Sequence, residues 1–112
     1  MTEFIQKAEE LSIMLSDSVE YKRFLEAKNE LEKDRELYNR VVEYRRRNFY
    51  IRNGNSTDKQ GELKKLGEEN RDILRNTVVR EFLNAELILC RIVQEINTLV
   101  ISKIDFDVSF LE

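Results

Sequence analysis

Carboxylates are the side chains here best able to do acid–base chemistry, and their spacing argues against it. Glu9 with Glu10 and Glu68 with Glu69 are adjacent, and adjacent residues on a helix do not face each other. Glu26 with Glu30, and Glu32 with Glu36, are four apart, which puts two carboxylates on one helical face. Di-iron bundles use such pairs but add a Glu-x-x-His motif, and this chain has no histidine. These pairs therefore read as a solvated, charge-rich face. The missing histidine also removes the usual base for a Ser, Thr or Cys nucleophile. No GxGxxG, phosphate-binding loop or CxxC occurs. Cys90, the one cysteine, lies between Leu89 and Arg91 in an apolar run. It reads as a small buried hydrophobe, with a shared metal ligand in an assembly as the alternative. This inventory predicts a protein that is not an enzyme, with no cofactor, no metal site and no small-molecule substrate.

Two segments carry contact chemistry instead. In Tyr44-Arg45-Arg46-Arg47-Asn48-Phe49-Tyr50, with Arg52 nearby, cations alternate with aromatics. Such a pattern can hold phosphate and stack bases. Three consecutive arginines point three ways on a helix, however, and a helix end with cations offsetting its dipole is the plainer reading. A nucleic-acid-binding module using Arg45, Arg46, Arg47 and Arg52 is thus the alternative function. The second segment is the tail, residues 104–112, where apolar and polar residues alternate with period two. It predicts an extended strip docked through Phe106, Phe110 and Leu111.

The elements that must position these groups are helices. The chain has 112 residues, 41% hydrophobic and 37% charged, with no proline and a net charge of −3. The size suits a single domain spanning 1–112, and the charge is too mild to predict a nucleic-acid partner. There is no basic-plus-apolar leader and no charge-free run of about 18 apolar residues. With a lone cysteine, these features predict a cytoplasmic chain without a membrane span.

Periodicity predicts four helices. The first covers about 2–15, with Phe4, Ala8, Leu11 and Leu15 on one face. Ser16, Asp17 and Ser18 each offer an oxygen able to cap the second, Asp17 with Glu20 has capping-box spacing, and that helix is expected to run over about 19–51. Asn53-Gly54-Asn55-Ser56 is the strong loop signal. Thr57 with Gln60 is a cap candidate for the third, which carries Leu63, Leu66, Asn70, Ile73 and Leu74 and is weakened by Gly61 and Gly67. Asn76 is expected to cap the fourth, ending near Lys103. A short echo links Lys22-Arg23-Phe24-Leu25-Glu26-Ala27 with Arg80-Glu81-Phe82-Leu83-Asn84-Ala85, and similar packing needs at two helix entries account for it.

The fourth helix has more apolar surface than one neighbour needs. Val79, Phe82, Leu89, Val93, Ile96 and Val100 form one stripe; Ala85, Ile88, Ile92 and Leu99 form a second. An ordinary surface helix shows one stripe. The second and fourth helices, at roughly 50 and 40 Å, also overrun the roughly 35 Å diameter of a compact domain this long. The expected fold class is all-α, an elongated antiparallel bundle of about four helices with two long ones, completed by dimerisation. A twofold homodimer through Ala85, Ile88, Ile92 and Leu99 satisfies the burial problem.

Several segments resemble the YlbF/YmcA family. Glu20-Tyr21-x-x-Phe24-x-x-Ala27 followed by Asp34 is similar to its first long helix, where Pro usually follows the Asp; here Arg35 does. Asn76-Thr77-Val78-Val79, then Phe82-Leu83 and Ala85-Glu86, resembles a second signature, usually Asn-Pro-Val-Val, with Thr77 at the proline position. Leu89 to Asn97 and the Asp105-Phe106-Asp107-x-x-Phe110-Leu111 ending extend the match to about 5–111. The resemblance implies a small all-α regulator of Gram-positive bacteria without known catalysis. It implies homo- or hetero-oligomers, with family paralogues and an RNA-degrading enzyme as partners, in a complex affecting RNA processing, competence, biofilm formation and sporulation.

Overall fold

Side-chain caps divide the chain into more helices than its apolar period suggests. The computed structural model describes residues 2–104. It contains α1 (Thr2–Ser16), α2 (Val19–Glu32), α3 (Arg35–Asn53), α4 (Lys59–Glu69), α5 (Arg71–Arg75) and α6 (Thr77–Ser102), with no strand among the described residues. The described residues are all-helical, as expected, but they form six helices rather than four. The predicted 19–51 helix is broken at Lys33–Asp34. Asp34 leaves the helical conformation at φ −107° and ψ 97°, and its carboxylate accepts from the Leu37 amide at 3.1 Å. Asp is poor inside a helix and good at its start, and the bend lets both Leu31 and Val41 enter the core. The predicted third helix is likewise divided, at Asn70. There the backbone and side-chain amides both turn back to the Leu66 carbonyl, at 3.2 and 2.9 Å.

Of the candidate caps for α2, Ser18 is the one used: it accepts from the Tyr21 amide at 3.1 Å, while Asp17 still donates its own N–H to Ile13 at the end of α1. The expected cap of α4 moves by one residue. Asp58, not Thr57, caps α4 by accepting from Gly61. A Cβ on Gly61 would collide with that carboxylate, so glycine here makes room for the cap. Asn76 behaves as predicted: its Oδ1 accepts from Val78 and Val79 at 2.9 and 3.3 Å. Arg35 and Thr77, the two residues at the signature's proline positions, are the first residues of α3 and α6. That is the position where a proline's missing N–H costs nothing and its fixed φ suits the helix.

The bend at Lys33–Asp34 brings α2 and α3 together on Phe82 of α6. The Phe24 ring lies 5.7 Å from the Phe82 ring, and the Arg45 guanidinium lies 5.6 Å from the same ring. The two echo segments therefore pack on each other, antiparallel, with Arg23 4.0 Å from Glu81 at their edge. Leu31, Val41, Ile73, Val79 and Phe82 form the buried cluster; Leu66 and Ala85 are also buried. On the other side α3 runs antiparallel to α4 and α5, joined by Arg47 to Glu69 at 3.2 Å and by Arg40 to Asp72. The shape is a flat slab, 48 × 37 × 16 Å with a radius of gyration of 17.6 Å, against about 13 Å for a compact chain of this length.

Candidate functional site

The site is a surface, and the lengths of α2 and α6 create it. α2 has 14 residues and α6 has 26, so α6 is about 18 Å longer at 1.5 Å per residue. Antiparallel pairing places Phe24 on Phe82, and Tyr21, in the first turn of α2, near Leu89. Beyond that level α2 has ended. Val79, Phe82 and Ala85 are accordingly buried, Ile88, Leu89, Ile92 and Ile96 are half-buried, and Val93, Leu99 and Val100 are 49%, 62% and 58% exposed.

This changes the two-stripe reading. Residues advance about 100° each on a helix, so Ile88, Leu99, Ile92, Ile96, Leu89, Val100 and Val93 occupy a single sector about 140° wide. The structure divides α6 along its length instead of around its circumference: its first half is covered within the protomer and its second half is not. Of the four predicted interface residues, Ala85 is a correction. It is 3% exposed and belongs to the protomer core, because it lies on the covered half. Ile88 and Ile92 sit at the margin and Leu99 is open. Cys90 is a second correction. It is exposed, since it lies about 130° round the helix from the centre of the apolar sector.

α1 adds a second uncovered strip that the expected interface did not include. It has no buried residue. Leu11 and Leu15 are half-buried, while Phe4 is 76% exposed and Ile5, Ile13 and Met14 are exposed. The last turn of α1 shares a groove of about 320 Å³ with α2 and α6, lined by Ser12, Leu15, Ser16, Tyr21, Leu89 and Val93. Towards its start α1 leaves α6 bare, since neither Phe4 nor Val100 is covered. The periodicity of Phe4, Ala8, Leu11 and Leu15 was the available signal for this strip.

The arginine cluster is dispersed. Arg45 reaches Glu86 on α6 at 2.5 Å, Arg46 reaches Glu43 on its own helix with Nε to Oε2 at 3.0 Å, and Arg47 reaches Glu69 on α4. Arg46 also stands over the Tyr50 ring at 5.5 Å, and Arg52 Nε donates to Asn48 at 2.8 Å. The hydrogen bond from Arg46 lowers the Glu43 carboxyl pKa, and Glu43 raises that of the guanidinium. Arg45, Arg46 and Arg47 each answer a different anion and Arg52 a neutral amide, so these residues form no single basic stripe of the kind that tracks a phosphate backbone. The hydrogen bonds from Arg40 hold the Asp72 carboxyl at about 2.

One member of each candidate acid–base pair is similarly engaged. Glu30 meets Lys33 at 2.9 Å, Glu32 meets Lys28 at 3.8 Å and Glu10 meets Lys7 at 3.3 Å. Among the described residues no group of three or more acidic or cysteine side chains is placed to hold a metal. No described helix is long and apolar enough to cross a membrane. The tail positions Phe106, Phe110 and Leu111 lie outside the described residues.

Comparisons with known proteins agree with the helical signatures. A family model described as "Control of competence regulator ComK, YlbF/YmcA" matches residues 4–105. A UPF0342 protein of Caldicellulosiruptor bescii is 28% identical over 102 residues, covering 88% of this chain and 86% of its own. A UPF0342 protein of Caldicellulosiruptor saccharolyticus is 26% identical over 101 residues, covering 88% and 84%. No solved structure matches.

Proposed function

This chain belongs to the YlbF/YmcA family, whose description is the control of a competence regulator, and from that premise we propose that it is a non-enzymatic helical adaptor. It self-associates and regulates other proteins by direct contact in the cytoplasm. The observation that carries this reading is the uncovered apolar surface of α1 and distal α6. The chain presents 9230 Å² to solvent, whereas a folded monomer of its mass presents about 6,500 Å². The nine residues outside 2–104 could add at most about 1,500 Å² even as bare chain. Apolar side chains left open together on two neighbouring helices, Phe4, Ile5, Ile13 and Met14 on α1 and Val93, Leu99 and Val100 on α6, mark a protein-binding face. By its family resemblance, the complex it joins bears on RNA processing, competence, biofilm formation or sporulation, with paralogues and an RNA-degrading enzyme among the partners.

The test combines light scattering on the purified chain with cross-linked pull-down from cells, read by mass spectrometry. Self-association together with a specific protein partner is the expected result. A chain that stays monomeric at all concentrations and captures no protein overturns the proposal.

A further inference from the structure

We propose that the hairpin end of α3 and α4 is a docking surface for a short acidic segment of a protein partner, one that carries an apolar or aromatic residue between its carboxylates. This rests on the adaptor reading above and gives it a partner surface apart from the strip of α1 and distal α6.

Charge, exposed aromatic area and shape coincide at this hairpin. Residues 46–65 hold six of the chain's 19 Lys and Arg and only two of its 22 Asp and Glu, so a chain of net charge −3 carries a positive pole. Part of that charge is answered internally. Arg46 pairs with Glu43 and Arg47 with Glu69, and Lys59 donates to the Arg52 carbonyl at 3.0 Å, where the end of α3 favours a cation. Arg52, Lys64 and Lys65 are exposed and enter no ion pair among the described residues. Beside them Phe49 and Tyr50 are each 60% exposed. Tyr and Arg are residue types that anchor protein interfaces. Between the two helices lies a groove of about 330 Å³, lined by Arg47, Tyr50 and Ile51 of α3 and by Glu62 and Lys65 of α4. Tyr50 and Ile51 offer contact to an apolar side chain, while Arg52, Lys64 and Lys65 attract its flanking carboxylates. Glu62 repels a carboxylate at its own position, which restricts how the segment lies.

A short acidic segment suits this surface better than a nucleic acid. The Phe49 and Tyr50 rings meet at 72°, edge to face, and offer no parallel platforms for successive bases. A long polyanion would also meet the net negative remainder of the chain, whereas a few carboxylates meet only the positive pole. The hairpin is separate from the association strip: α4 packs on α3 and α5, while α1 packs on α2 and meets α6 at its last turn.

The experiment titrates the whole chain into fluorescein-labelled probes, read by anisotropy at low and at physiological salt. The probes are the peptide Asp-Glu-Leu-Asp-Phe-Glu-Asp, its neutral counterpart Asn-Gln-Leu-Asn-Phe-Gln-Asn, a peptide of this chain's own residues 105–112, and a single-stranded RNA of seven nucleotides. The acidic peptide binds at least about tenfold tighter than the neutral one, and salt weakens it. Tyr50→Ala and Lys65→Glu each weaken it at least about tenfold. Both residues are exposed, so helical circular dichroism and sedimentation of the free chain stay unchanged. Lys22→Glu, the same charge change at an exposed site on α2, leaves binding within about twofold, because only local charge counts. Equal binding of the neutral peptide, or indifference to both hairpin substitutions, overturns the proposal. Tighter binding of the RNA makes a nucleic acid the occupant, and tighter binding of the 105–112 peptide makes the chain's own tail the occupant; either overturns a separate acidic partner. A change in sedimentation with Tyr50→Ala assigns the hairpin to self-association and also overturns it. No peptide binding by a chain that still self-associates overturns this surface and leaves the adaptor reading standing; a chain that does neither and captures no protein overturns both.

Discussion

Removing Phe82 and removing Leu99 should have very different consequences, although both lie on the apolar face of one helix. Phe82 is 3% exposed, with Phe24 on one side and Arg45 over its ring. Phe82→Ala leaves a cavity at the junction of α2, α3 and α6 and should cost about 4 kcal/mol, within the usual range for a buried Phe. A chain of 112 residues has a total stability of about 5–15 kcal/mol. With seven buried hydrophobic side chains among the described residues, this protomer belongs in the lower part of that range, so Phe82→Ala should be close to unfolded. Leu99 is 62% exposed in the protomer, and only the remaining third of its transfer energy is at stake, less than about 1 kcal/mol. The assay is urea unfolding followed by far-ultraviolet circular dichroism, at dilutions where the chain is monomeric. At higher concentration the Leu99→Ala cost should grow, because a partner that binds only the folded state adds stability by mass action. If dilute Leu99→Ala loses as much stability as Phe82→Ala, distal α6 is packed within the protomer and the lengthwise division of that helix is wrong.

Other outcomes follow from single contacts. Arg35→Pro and Thr77→Pro should be tolerated or should stabilise by about 0.5 kcal/mol, since both sites open a helix after an extended residue; thermal melts check this, and a large loss at either site contradicts the helix starts. Asp72 should titrate with a midpoint near 2 by carboxyl nuclear magnetic resonance, and Arg40→Gln should return it to the ordinary carboxylate range. Because the folded value is depressed, the α3–α5 tether contributes fully above about pH 4 and fades as pH falls through about 2. Fluorescence anisotropy with a short single-stranded RNA at low salt should show no binding attributable to Arg45, Arg46 and Arg47; binding that weakens steeply with salt would contradict their commitment to Glu86, Glu43 and Glu69.

Much of the helical layout was legible because it is local. The Asn76 cap and the Asn53–Ser56 loop depend on side chains acting within a few residues, and the structure has both. The breaks at Asp34 and Asn70 were less legible although their residues are equally suggestive. A cap is worth about 1 kcal/mol, similar to what continuing a helix through the same residue offers or costs. Burial decides between them: Leu31 and Val41 reach one core only if the chain bends at Asp34, and Leu66 and Ile73 are both buried with the step at Asn70. The arginine partners were illegible for a related reason. Three consecutive arginines predict three directions, but only the packing of α3 on α6 and α4 places Glu86 and Glu69 at their ends.

Sequence alone determined that the chain is helical, that acid–base chemistry lacks its usual parts, and that the last helix carries an apolar face too large for one neighbour. Those properties follow from residue type and period, which any helix built from these residues would share. Tertiary structure decided where that face is free. Periodicity measures angle around a helix and is blind to the length of whatever packs against it. α2 stops near the level of Leu89 because Ser18 caps it, and α1 meets α6 only at its last turn, leaving Phe4 and Val100 uncovered. The uncovered surface is therefore the distal half of α6 together with α1, and Ala85, which shares the sector, is buried within its own protomer.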